Sequence, residues 1–202
     1  MRQISVRNKK ILLTLALIGA AMAAISFCVI VAYYIDLNPP LNAVLLSIAR
    51  PLAMTGCALA YFVLCCRIER TPALTLLPLA AYYCATACFA FFFRRSVNVI
   101  NVTKYAVFFL FLLFGLLTMR GLLKGVWRLL TLLTGLGSMG LRIYILVAAG
   151  MSVARMGATP DVPARVVAAN VMALLPYLAE LLLLAAMILS VFFVRREGES
   201  AA

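Results

Sequence analysis

Gly135-Leu136-Gly137-Ser138-Met139-Gly140-Leu141-Arg142 lies inside an apolar run, residues 129–153, that is long enough to cross a bilayer. The stretch puts three glycines beside an arginine, a charge that a membrane span normally lacks. A charge at the bilayer centre costs roughly 2.5–3.5 kcal/mol on insertion scales, so an ion there marks a partner or a task. Two further apolar runs pair a charge with a helix breaker in the same way. One holds Arg50-Pro51, and the other holds Pro176 four residues before Glu180.

The whole chain is built like this run. Its 202 residues are 66% hydrophobic and 12% charged. A soluble domain is about 45–50% apolar and 25% charged, so this chain has too little polar surface to face water. Spans of about 18–20 apolar residues are needed to cross the hydrocarbon. Runs of that kind place them at residues 11–34, 41–66, 73–93, 102–119, 129–153 and 166–194. The expected fold is therefore all-α, a polytopic transmembrane helix bundle of about six spans with no soluble domain; five spans is the rival count. No alternating segments of a β-barrel occur. Residues 1–10 form a basic N-terminal segment and residues 195–202 a polar tail. The basic start and Ala21-Met22-Ala23 imitate a signal peptide, but the apolar run continues past them, which reads as an uncleaved first span.

The formal net charge of +12 points to lipid rather than nucleic acid, because Lys and Arg cluster at span ends. With six spans, eleven loop cations fall on the side of the termini and five on the other, which places both termini in the cytoplasm. A bacterial cytoplasmic membrane is the expected location. Arg120, Lys124 and Arg128 recur every four residues beside Trp127, the pattern of a short interfacial helix against anionic headgroups. The six cysteines fall in or at the ends of spans, with no C-x-x-C, and read as small hydrophobes.

The buried ions form the candidate site: Arg50, Arg142 and Glu180, with Ser138, Asn170 and Tyr177 on the same helical faces. Lone ions in lipid would be the costly state, so Glu180 is expected to pair with Arg142, Arg50 or both. Arg50 has an alternative as a snorkelling flank, if its span begins at Pro51. Pro51, Gly135, Gly137, Gly140 and Pro176 are candidate helix breaks; freed backbone groups are tolerated at membrane depth where they are buried in protein or line a cavity. Transporters use such interrupted helices to bind substrate and coupling ion. Two arginines against one acid leave positive charge over, which suits an anionic small-molecule ligand. The structural alternative is an Arg–Glu pair that fixes helix register. Gly135, Gly137 and Gly140 match G-x-G-x-x-G, but without the strand and βαβ unit a dinucleotide site needs.

The chain has no histidine, which removes His-based metal sites and Ser-His or Cys-His pairs. Glu180 is the one acid within a span and the lysines sit at span ends, so an enzyme, a metal site and a cofactor are not expected. Two classes stay open. One is a small transporter or the substrate-binding subunit of a larger one. The other is a non-catalytic scaffold or assembly factor that holds another membrane protein, or a second copy of itself, through small-residue helix faces. Ala16, Ala20 and Ala24 form such a face on the first span. With this face, its size and about six spans, the chain resembles the substrate-capture subunits of energy-coupling-factor vitamin transporters. Those subunits dock a coupling protein through an A-x-x-x-A face on their first helix. The resemblance implies that role for Ala16, Ala20 and Ala24, while no ligand motif of a particular vitamin class is visible.

Overall fold

The computed structural model describes residues 2–37, 41–93, 99–122, 126–193 and 195–196. It is all-helical, with six segments long and apolar enough to cross a membrane. The helices are α1 (Val6–Leu37), α2 (Leu41–Cys66), α3 (Leu77–Cys88), α4 (Val99–Met119), α5 (Val126–Gly157), α6 (Ala164–Met172) and α7 (Leu175–Phe193). A 3-10 turn, Pro72–Leu76, leads into α3, and a π turn, Phe89–Phe93, closes it. Arg2–Gln3 pairs antiparallel with Arg195–Arg196, so the two terminal segments meet at one end of the bundle, as an even number of spans requires.

Helix α7 is the centre of the packing. It touches α1, α2, α4 and α5, and buries Ala179, Leu183, Leu184, Ala186, Met187, Ile188 and Val191 on more than one face. A helix that is apolar all round belongs inside. The outer helices invert the pattern of a soluble protein. Leu17, Ile25, Leu59, Val63, Leu113, Leu133 and Leu136 all point outward, where lipid rather than water can accept them.

The small residues of α1 are used inside the chain. Leu12, Ala16, Ala20, Ala23 and Ser26 are buried on one face, against α2 and α7. A Cβ on Gly19 would stand 3.5 Å from the backbone oxygen of Ala179, so the two helices run close. Ala24 is half-buried at the edge of this face. Ala16 and Ala20 thus make an internal contact, covered by this chain's own helices rather than open to the coupling protein that the resemblance implies.

The glycines of α5 do not break it. The helix runs unbroken through Gly135, Gly137 and Gly140, and α2 likewise runs through Pro51. In lipid no water competes for the backbone, so a glycine loses little there. Gly135 instead allows close contact: an added Cβ would lie 3.0 Å from Ile188 and 3.1 Å from Phe111. Gly137 faces Val107 at an ordinary 3.5 Å, and Gly140 faces open space.

Pro176 does break its span. The chain leaves the helix between Met172 and Leu175, which separates α6 from α7. Proline has no N–H for the carbonyl four residues before it, here that of Met172. The Ser26 hydroxyl of α1, fully buried, donates to that same carbonyl at 3.0 Å. One helix supplies the hydrogen bond that another helix's proline removes.

The described residues after α4 do not form the expected interfacial helix. Gly121 takes a positive φ of 73°, Leu122 N–H bonds the Leu117 carbonyl at 3.0 Å and Gly121 N–H bonds Thr118 at 2.8 Å. That is a Schellman stop, which only a residue tolerant of the left-handed region makes easily. Trp127 and Arg128 then belong to the first turn of α5. Lys124 lies outside the described residues.

Candidate functional site

Four helices bring one charged residue or tyrosine each to a single point. Arg50 comes from α2, Tyr83 from α3, Arg142 from α5 and Glu180 from α7. Glu180 and Arg142 are each 3% exposed. The Arg142 Nε lies 2.6 Å from Glu180 Oε1, and donates at 2.6 Å to the Tyr83 hydroxyl. Tyr83 in turn donates to Glu180 Oε1. The other carboxylate oxygen, Oε2, lies 3.4 Å from Arg50 Nη2. Each guanidinium also covers a ring: Arg142 sits over Tyr83 with its carbon 4.3 Å from the centroid, and Arg50 over Tyr177 at 3.7 Å. Phe108 of α4 packs on Tyr83 with centroids 3.8 Å apart and closes that side.

Glu180 is therefore fully engaged, and Arg142 is not. Its terminal nitrogens Nη1 and Nη2 are buried without a hydrogen-bond partner among the described residues. So is the hydroxyl of Ser138, one turn earlier on the same helix face. An unsatisfied buried donor costs about 1–3 kcal/mol, more for a charged one. The centre leaves the two terminal nitrogens of Arg142 and the Ser138 hydroxyl free to bond a further group.

The pairing sets the depth of the site. α4 and α5 run side by side in opposite directions, with the hydroxyls of Thr118 and Thr131 3.0 Å apart and Gly137 against Val107. Arg142 consequently lies level with residues 102–107 of α4, about 5–12 Å from the Val99 end at 1.5 Å per residue. Along the spans Val126–Gly157 and Pro72–Phe91, Arg142 and Tyr83 lie near the middle. Lys104 rests on the Tyr105 ring at 4.3 Å, within electrostatic reach of Arg142, Glu180 and Arg50.

Of the residues singled out from sequence, Arg50, Arg142, Glu180 and Tyr177 meet, and Ser138 lies beside Arg142. Asn170 does not join them. Its amide donates to the Val166 carbonyl of its own helix at 2.8 Å, because α6 stands apart from α7 beyond the break. The alternative of Arg50 as a plain snorkelling flank gives way to a split role: its side chain is 36% exposed, yet its tip reaches Glu180. Sequence reasoning misses Tyr83. A signal for it exists, since Tyr82-Tyr83 falls mid-span while tyrosine normally marks the two interfaces. A groove of about 570 Å³ along Arg7, Lys10 and Thr14 lies on α1 at the terminal end, away from these residues.

The described cysteines are free thiols, and no metal-holding cluster occurs among the described residues. The fold and its apolar surface define an integral, multi-pass membrane protein. Compared with protein-family models, curated proteins and solved structures, the chain matches none.

Proposed function

We propose that this protein is a small transporter, or the substrate-binding subunit of a larger one, and that the Arg50–Tyr83–Arg142–Glu180 cluster is its anion-binding centre. The observation that carries this reading is the unpartnered, fully buried end of the Arg142 side chain. A cluster built only to fix helix register would use its donors up, because each one left unpaired subtracts from the stability it supplies. Here two cations, Arg50 and Arg142, face one carboxylate. A ligand with negative charge completes the set.

Position supports the same reading. The cluster lies near the middle of the spans that carry Tyr83, Arg142 and Glu180, the depth at which transporters hold substrate. The break at Pro176 adjoins Tyr177 and lies one turn before Glu180, so a bend in this span would move groups that hold Arg50. A scaffold is the competing class; the covered Ala16 and Ala20 face is closed to a scaffold's partner and to a coupling protein alike.

The test is purification of the full chain in mild detergent from its native host, with its stoichiometric partners identified and its unfolding midpoint measured against a metabolite panel. Recovery with an energising ATPase, or as a clean homo-oligomer, together with a ligand-dependent rise in the midpoint, supports transport. Recovery in one unrelated membrane complex, with no ligand-dependent rise, contradicts it.

A further inference from the structure

We infer that Ser138 and Arg142 form a subsite for a planar, singly charged oxyanion, the carboxylate of a small organic acid or an inorganic anion of the same shape. This deepens the transport reading and rests on it. The argument starts from how the guanidinium is divided. Its Nε edge is spent on Tyr83 and Glu180. Its Nη1 and Nη2 end is unspent, and buried. Paired guanidinium N–H groups suit the two oxygens of a flat carboxylate.

Ser138 supplies the second half. Its hydroxyl is also buried and unpartnered, on the same face of α5 and one turn toward the N-terminus. Long helical side chains lean back over the turn before their own Cα, which carries the Arg142 fork toward Ser138. Three donors on one helix face then serve two coplanar oxygens. Glu180 is no competitor for the fork, since Tyr83, Arg142 Nε and Arg50 hold it already.

The subsite is sealed in this conformation, so an anion reaches it only when the packing opens. Arg50 is the side of the cluster from which that happens. It is more than one-third exposed, its 3.4 Å contact with Glu180 is the longest in the cluster, and its ring partner Tyr177 adjoins the Pro176 break. An incoming anion meets Arg50 first and Arg142 second.

The experiment uses the full chain in detergent, in a zwitterionic buffer free of halide and phosphate, with direct binding and unfolding midpoints measured at millimolar acetate, propionate, benzoate and nitrate. Acetamide, propionamide and benzamide serve as neutral matches of the same shape. At least one planar anion is expected to bind and raise the midpoint where its amide does not. S138A is expected to weaken that binding about tenfold, the worth of one hydrogen bond to a charged group, and R142Q more than about a hundredfold, the worth of the paired charged ones. R142K keeps the charge but loses the fork, and is expected to behave as R142Q does. Should R142Q fail to fold, S138A carries the test, because it removes a hydroxyl with no partner and leaves the fold intact. Nitrate binding as tightly as the acids assigns the subsite to an inorganic ion, and preference for an acid assigns it to an organic one. No binding by any planar anion, or binding unchanged in S138A, overturns the subsite. If neutral or cationic members of the metabolite panel raise the midpoint while planar anions do not, the subsite falls and the transport reading stands. If nothing raises the midpoint and the chain is recovered in an unrelated complex, the transport reading itself falls.

Discussion

Glu180 has two arginines within reach and does not hold them equally. Arg142 is buried and contacts Oε1 through Nε at 2.6 Å, with Tyr83 bridging the pair; Arg50 is partly exposed and reaches Oε2 at 3.4 Å. Removing one member of a buried ion pair typically costs about 3–5 kcal/mol, whereas an exposed pair is worth about 0–1 kcal/mol. R50Q should therefore lower the unfolding midpoint in detergent much less than R142Q does; equal losses would mean that Arg50 and Arg142 hold Glu180 with the same strength. Y83F removes a hydroxyl that donates to Glu180 and accepts from Arg142. It should cost about 1–3 kcal/mol, read as a fall in the same midpoint. The charges were legible in the sequence because an ion in an apolar run stands out. Tyr83 and Ser26 were not. A serine hydroxyl costs little in a membrane helix, so nothing in the pattern flags Ser26; Tyr83 carries only the sign of a mid-span tyrosine, and which carbonyl or carboxylate each meets is decided by helices distant in sequence.

At the scale of the element, proline and glycine behave differently in this bundle. Proline removes a donor whatever surrounds it, and Pro176 ends a helix, with the Met172 carbonyl taken up by Ser26. Glycine only removes a side chain, and α5 passes through Gly135, Gly137 and Gly140 as one helix. S26A should destabilise by about 0.6 kcal/mol, up to ~2, the range measured for hydrogen bonds between membrane helices. In a P176A background the new N–H can bond Met172 itself, so S26A should then cost almost nothing. A double-mutant cycle that comes out additive would mean that Ser26 does not compensate for the proline. In α5, G135L forces a branched side chain against Ile188 and Phe111 and should cost about 1–3 kcal/mol by overpacking, while G140A meets no neighbour and should be neutral or slightly stabilising. Sequence patterning placed the spans well because the length of apolar runs is set by the bilayer. It could not tell a glycine that breaks a helix from one that lets two helices touch, since both look alike until the partner is known.

For the whole molecule, the pairing of Arg2–Gln3 with Arg195–Arg196, and the 3.1 Å contact of Lys9 with Glu69, place the terminal segments and the α2–α3 turn at one end. Reporter fusions at both termini should therefore report the same side of the membrane, the cytoplasmic side by the loop cations; opposite sides would contradict six spans. The polar cluster is bounded by α2, α3, α5 and α7, so four of the spans are tied to each other through one carboxylate. Everything functional proposed for this molecule depends on that tie. Its most direct test is a double-mutant cycle on R142Q and E180Q, read as unfolding midpoints of the full chain in detergent. Each single change should lower the midpoint sharply by stranding a buried charge, and the double change, which leaves two neutral amides, should recover a large part of the loss. Losses that simply add would mean that Arg142 and Glu180 do not meet, and the anion-binding centre would fall with them.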